Sequence, residues 1–369
     1  METQKKSRLQ SIDALRGFDM FWIMGGPAII ASLYAITGSS FWEQINEQME
    51  HVPWHGFHFM DLIFPLFLFI AGVSFPFSLA KRRTGNETDQ RIRQHVFKRA
   101  ILLFIFGLIY NGLFRFDQIR YASVLARIGF AWMFGALIYM HTRKTQARVL
   151  WALGLLVFYG LLISLVPAPD APVGIGIFSP ERSIVAWFDR MFLPGVLYGG
   201  NFDPEGYLGL IPATSTALFG MLSGSLLASK GTISPVRKAL YLFVAGIVLL
   251  IATILLNLVL PINKALWSPS FVLITGGISL LLLSLFYWVI DVKGYRNWSF
   301  PFQVIGLNSI TIYLAQQIID FWGISNFFFG GIASMFSKDT GSLILSCGYV
   351  LVCWLFLWFL YQKKIFLKV

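Results

Sequence analysis

Charge is scarce in this chain, and cysteine scarcer still. Only 13% of its 369 residues are Asp, Glu, Lys or Arg, about half of the ~25% that soluble domains carry. Once the apolar runs are set aside, no stretch remains that would make a soluble domain, so the chain reads as one integral-membrane domain over residues 1–369. The two cysteines, Cys347 and Cys353, lie six apart within one apolar run. That spacing suits neither a metal site nor a disulfide within one helix, and it leaves the redox compartment unspecified. Internal repeats and low-complexity linkers are also missing. No A-x-A-like cleavage site follows the first apolar run, so the polar start Met1–Gln10 and that run read as a retained anchor rather than a signal peptide.

What fills the chain is hydrophobic: 56% apolar residues, 17% aromatic, and a mean hydropathy of +0.68. Runs of 18 or more apolar residues recur, each long enough to cross a hydrocarbon core of ~30 Å. The expected fold is an all-α polytopic membrane protein, with about ten helices in one bundle. The expected spans are 14–36, 57–79, 98–114, 121–140, 149–166, 207–228, 239–260, 270–290, 301–320 and 341–361. Arg115, Asp117, Arg120 and Arg127 crowd the junction of the third and fourth. The stretch 322–336 is expected to be re-entrant or to lie along the interface. With the N-terminus inside, 21 of the 29 Lys and Arg fall in segments 1–12, 81–99, 141–148, 230–238, 291–300 and 362–369. That bias predicts both termini in the cytoplasm and a multi-pass protein of the cytoplasmic membrane. The net charge of +11 has this origin; lipid is the implied partner, and nucleic acid is not. The one long outer segment is about 167–206, rich in Pro and Gly, with a short amphipathic helix expected around Ile184–Phe192.

Against this background a few polar groups stand out, because an ionisable residue in a span costs roughly 2.5–3.5 kcal/mol at a helix centre and tends to face a cavity or a partner. Three of the five histidines, His51, His55 and His58, precede Asp61 in "EHVPWHGFHFMDLIF". Asp61 opens the second span, and a carboxylate on one ring nitrogen fixes the tautomer and raises the basicity of the other. His58 shares a helical face with Asp61 by spacing, while His51 or His55 could be reached from the loop. The competing structural role for the three rings is an interfacial aromatic belt with Trp54. In "SIDALRGFDMFWIMGG", Arg16 with Asp13 or Asp19 is either an ion-pair cluster between helices or an inner site for an anionic ligand. Arg127 sits well inside the fourth span and needs a carboxylate, carbonyls or a ligand phosphate. Asp203 and Glu205, just outside the sixth span, suit a hydroxylated or amine-bearing substrate, or simply a helix start. Asn308 belongs to a polar set in the ninth span that hydrogen bonding between helices largely explains. Two classes fit: a membrane-embedded transferase with an outer histidine, or a secondary transporter with an Asp/His proton relay. The transporter predicts inverted repeats, and none is visible.

Five stretches resemble the heparan-alpha-glucosaminide N-acetyltransferase family. They are "RLQSIDALRGFDMF" (8–21), "HVPWHGFHFMDLIFPLFLFIAGVS" (51–74), "RYASVLARIGFAWMF" (120–134), "DPEGYLGLIPA" (203–213), and "PINKALWSPSFVL" with "DVKGY" and "GLNSITIYL" (261–314). They follow one another in family order. The resemblance implies a multi-pass enzyme that carries acetyl from cytosolic acetyl-CoA, its co-substrate, to an amino sugar of glucosamine type across the membrane, without a metal. His51 occupies the place of the family's catalytic histidine, ahead of Trp-x-Gly, and Asp61 that of the aspartate opening the next span. Arg16, Asp13, Arg127 and Asn308 are assigned to the coenzyme, and Trp54, Asp203 and Glu205 to the acceptor. A homodimer is also suggested. Two departures concern the sugar side: the loop before His51 is longer than in the lysosomal enzyme, and the asparagine near the end of that enzyme's first span has no counterpart in "WIMGGPAII". O-acetylation of an envelope glycan and a sugar or drug permease are the alternatives.

Overall fold

The computed structural model describes residues 9–112, 118–171, 174, 176–229, 231 and 233–367. Arg115 and Asp117 lie outside the described residues. Among those described, all regular structure is helical, apart from two isolated bridges. The helices are α1 Gln10–Ile23, α2 Gly26–Thr37, α3 Ser40–Glu47, α4 Phe59–Thr84, α5 Asp89–Tyr110, α6 Val124–His141, α7 Thr145–Leu165, α8 Ile184–Phe192, α9 Leu210–Ala228 and α10 Pro235–Leu256. They continue with α11 Pro269–Phe286, which runs on as a wider turn to Val292, then α12 Phe300–Leu307, α13 Ser309–Ala315, α14 Phe321–Ala333 and α15 Lys338–Gln362. Local chemistry sets several of the starts. Ser234 and Ser268 cap α10 and α11, each with Pro at the first helical position, where the missing N–H costs nothing. Lys81, Arg82 and Arg83 close the last turn of α4, at the negative end of its dipole.

Among the described residues, seven helices are long and apolar enough to cross a membrane, and eight if α1 and α2, bent by 53° at their break, form one span. The expected third span lies in α5, whose first half carries Asp89, Arg91, Arg93, Lys98 and Arg99 and which falls outside that apolar set. The expected ninth is divided into α12 and α13, of eight and seven residues. α14 has 13 residues, about 20 Å at 1.5 Å per residue, too short to cross alone. It folds back along the first half of α15, with Ser325 Oγ donating to the Leu345 carbonyl at 2.9 Å. The amphipathic helix in the 167–206 segment has the bounds read from its sequence.

α4 and α9 form the centre, 78% and 72% buried along their apolar windows, whereas α10 is 22% buried and turns Val248, Ile251, Ile254 and Leu255 outward. That is the pattern of a helix facing lipid. The central pair is close because Gly72 of α4 and Gly220 and Gly224 of α9 each meet the partner's backbone, where a methyl group would overlap it. Small residues serve this role in membranes, where apolar burial gives helices no preference for one another over lipid. α1 and α12 meet likewise at Gly17 and Gly306.

Candidate active site

Two interrupted helices leave room for a cavity. Gly25, with φ +121°, breaks the first span between α1 and α2, and Asp320 starts α14 by accepting from the Gly323 amide at 2.8 Å. Both breaks meet at Tyr349 of α15. Gly25 packs on its ring, its hydroxyl donates to Gln316 Oε1 at 2.8 Å, and Trp322 stacks on it at 4.8 Å between centroids. From there a cavity of about 730 Å³ extends past Tyr110, Tyr313 and Ile128 to His51 and Glu205. That size is ordinary for a small-molecule site.

His51 lies in the loop between α3 and α4. Its Nδ1 is 2.8 Å from Asp61 Oδ1, and its side chain is 57% exposed while that of Asp61 is fully buried. Asp61 falls in the first turn of α4, so its other oxygen, Oδ2, accepts from the His58 amide at 3.0 Å. One acid therefore starts the helix and holds the ring. A carboxylate only accepts, so the proton between them sits on Nδ1, and the lone pair is on Nε2. This resolves which histidine Asp61 touches. The His58 ring instead donates from Nδ1 to the Glu50 carbonyl at 3.1 Å. His55 Nδ1 accepts from Asn263 Nδ2 at 3.3 Å, and burial lowers the pKa of that ring.

The loop before α11 presses on this region. The Gly56 amide donates to the Ile262 carbonyl at 2.9 Å. Asn263, fully buried, shapes the "PINKALWSPS" turn by accepting from the Leu266 amide at 2.7 Å, and Ser268 and Ser270 both donate to the Pro261 carbonyl at 2.9 Å. That turn places Lys264 Nζ 3.3 Å from Asp61 Oδ1 and 3.0 Å from His51 Nδ1. Burial lowers the Lys264 pKa, and Asp61 and Glu205 oppose the effect.

Across the cavity mouth, Arg120 forms two bonds to Asp203, at 2.8 and 2.6 Å, and a further one to Glu205. Burial works against the guanidinium charge, but these carboxylates hold its pKa above the ordinary value. Asp203 also accepts from the Tyr198 and Glu205 amides at 3.0 and 2.9 Å. It is wholly buried behind the cavity wall and does not cap α9. Glu205 reaches the cavity. Trp54 lies outside it, with Nε1 donating to the Phe178 carbonyl at 2.9 Å and its ring against Phe202, and so ties the His51 loop to the outer segment.

The residues assigned to the coenzyme do not gather here. Arg127 is buried, donates to the Gly206 carbonyl at 2.6 Å and lies 4.9 Å from the Trp267 ring centre. Asp13 and Arg16 sit in the α1–α12 contact, 3.7 Å apart, and Arg16 also donates to Ser74 Oγ at 3.0 Å. Asn308 donates to the Ile365 carbonyl at 3.0 Å. Arg16 does not line the cavity, whereas Met20, one turn along α1, does. Among the described residues no cluster of metal-ligating side chains occurs. Lys264 and Arg120 are site residues that sequence reasoning does not single out, although both lie in stretches that resemble the family and apart from the clusters of Lys and Arg that hold 21 of the 29.

The profile of the family described as heparan-alpha-glucosaminide N-acetyltransferase, catalytic, matches residues 8–242. Heparan-alpha-glucosaminide N-acetyltransferase of Homo sapiens is 26% identical over 418 aligned positions, covering 98% of this chain and 60% of the human protein. The Mus musculus protein of the same name is 25% identical, covering 99% of this chain and 62% of its own. The chain thus spans about three fifths of the length of these relatives.

Proposed function

Since the chain belongs to the heparan-alpha-glucosaminide N-acetyltransferase family, we propose that it is a membrane-embedded acetyltransferase moving acetyl from acetyl-CoA to the amine of a glucosamine-type sugar. The single observation that carries the reading is His51, set in the wall of a cavity and held from behind by the buried Asp61 at 2.8 Å. An amine attacks only as the free base, and a neutral imidazole is suited to take its proton. In this reading His51 Nε2 accepts the amine proton as the nitrogen bonds to the thioester carbonyl carbon. The C–S bond then breaks, and the imidazolium returns the proton to the departing thiolate. Asp61 keeps the lone pair on Nε2 and stabilises the transient cation.

The coenzyme approaches from the cytoplasmic face, where the basic segments favour its phosphates, and its arm occupies the apolar part of the cavity. His51 lies at the opposite end of α4 from Lys81–Arg83, so the acceptor amine meets the thioester near the outer face. Glu205 is placed to bind an acceptor ammonium or hydroxyl. The decisive experiment reconstitutes the purified protein in vesicles and follows radiolabelled acetyl from acetyl-CoA to glucosamine. Acetylglucosamine is the expected product. Failure to bind coenzyme A would overturn the reading, because a permease has no need of that ligand. A radiolabelled histidine after incubation without acceptor would replace direct attack by an acyl-imidazole relay.

A further inference from the structure

Base catalysis as described needs only His51 and Asp61, yet a third charged group completes the cluster. Lys264 reaches it from the turn before α11, 213 residues from His51. Its Nζ lies 3.0 and 3.3 Å from the two ring nitrogens and 3.3 Å from Asp61 Oδ1, and its side chain is 19% exposed. Nδ1 keeps its proton and donates it in a hydrogen bond to Asp61, so the ammonium cannot donate there. It stands beside the ring as a charge, with one N–H on Asp61.

From this geometry we infer that Lys264 is a positioning residue that holds His51 in its neutral, proton-accepting form. An ammonium within about 4 Å disfavours a second positive charge on the ring, whereas Asp61 alone would favour it. The other groups facing the ring leave this balance to the pair. His58 is engaged by the Glu50 carbonyl and His55 by Asn263. Glu205, across the cavity, is bound by Arg120. Without Lys264, Asp61 would draw a proton onto the imidazole at neutral pH and remove the lone pair that takes the amine proton.

The inference rests on the reading of His51 as the base, but its test does not need acetyl transfer. Diethyl pyrocarbonate reacts with neutral imidazole, so the rate of His51 modification against pH, followed by peptide mass spectrometry, reports when the ring loses its proton. Wild type, Lys264→Met and Lys264→Arg are compared in detergent. The midpoint is expected to rise by about one pH unit or more in Lys264→Met and to stay near wild type in Lys264→Arg. Should Lys264→Met not fold, Lys264→Gln, which also lacks the charge, takes its place. Coincident midpoints in the charged and uncharged proteins overturn the inference. A shifted midpoint in a protein that transfers no acetyl leaves the inference standing and removes the proposed reaction instead.

Discussion

Asp19 and Asp61 are equally buried, both fully, in helices of the membrane bundle, but their surroundings differ. Asp61 has partners at both oxygens: a ring and an ammonium on Oδ1, and a backbone amide on Oδ2. Neither oxygen of Asp19 has a hydrogen-bond partner among the described residues, and Asp19 lines no part of the cavity. Burial of an acid therefore does not by itself mark a site. What distinguishes Asp61 is that its three partners come from two separate segments and that two of them, His51 and Lys264, line a cavity. A buried carboxylate with its charge matched and its oxygens filled orients a neighbour at little further cost.

The largest effect should come from the exposed member of the pair. His51→Ala is expected to lower acetyl transfer by about 10³-fold, within the range for loss of a general base. Its thermal midpoint should stay near wild type, because the ring is more exposed than buried. Initial rates in vesicles together with a melting curve decide this, and near-normal transfer would take His51 out of the reaction. Next comes the comparison itself. Asp61→Asn keeps the shape but leaves Lys264 without its counter-charge and the ring without a fixed tautomer, so turnover should fall about 10²-fold. Asp19→Asn should leave turnover within about twofold. Equal losses in the two variants would mean that burial, and not partnership, is what matters.

How much of this was legible in the chain follows from the range over which each signal acts. Membrane class, helix type and most spans are properties of local composition, and α4, α6, α7, α9, α11 and α15 fall where the apolar runs do. The broken stretches were harder. α12 and α13 lie in one apolar run, and the break between them falls at Asn308, without a proline or glycine at that position to mark it. His51 and Asp61 were readable because they lie ten apart around a helix start. Which histidine would be the partner was not, since loop geometry decides it. Asp203 and Glu205 were noticed, but their tie to Arg120 crosses 83 and 85 positions, and no local pattern encodes such a pairing. Lys264 reaches the site over a still longer separation, and in the sequence it is merely one basic residue between two apolar runs.

The smallest effect separates a third buried acid from the other two. Asp189 of α8 lies in the 167–206 segment, with Oδ1 accepting from the Tyr207 amide at 3.0 Å and Oδ2 buried without a hydrogen-bond partner among the described residues. Burial pushes its pKa up to about 7, against the pull of the Tyr207 amide and Arg127. In the unfolded chain the same group titrates near 3.8. A carboxyl raised on folding stabilises the fold fully below the unfolded value, and that contribution is lost as pH rises through the folded one. The thermal midpoint should therefore decline between about pH 4 and pH 7, by an amount worth on the order of 4 kcal/mol at most from the difference between the two values. Asp189→Asn cannot ionise and should flatten the slope, while Asp61→Asn should not. A parallel decline in wild type and Asp189→Asn would show that the outer segment tolerates the charge, and would place Asp189 with Asp61 among the acids whose partners suffice.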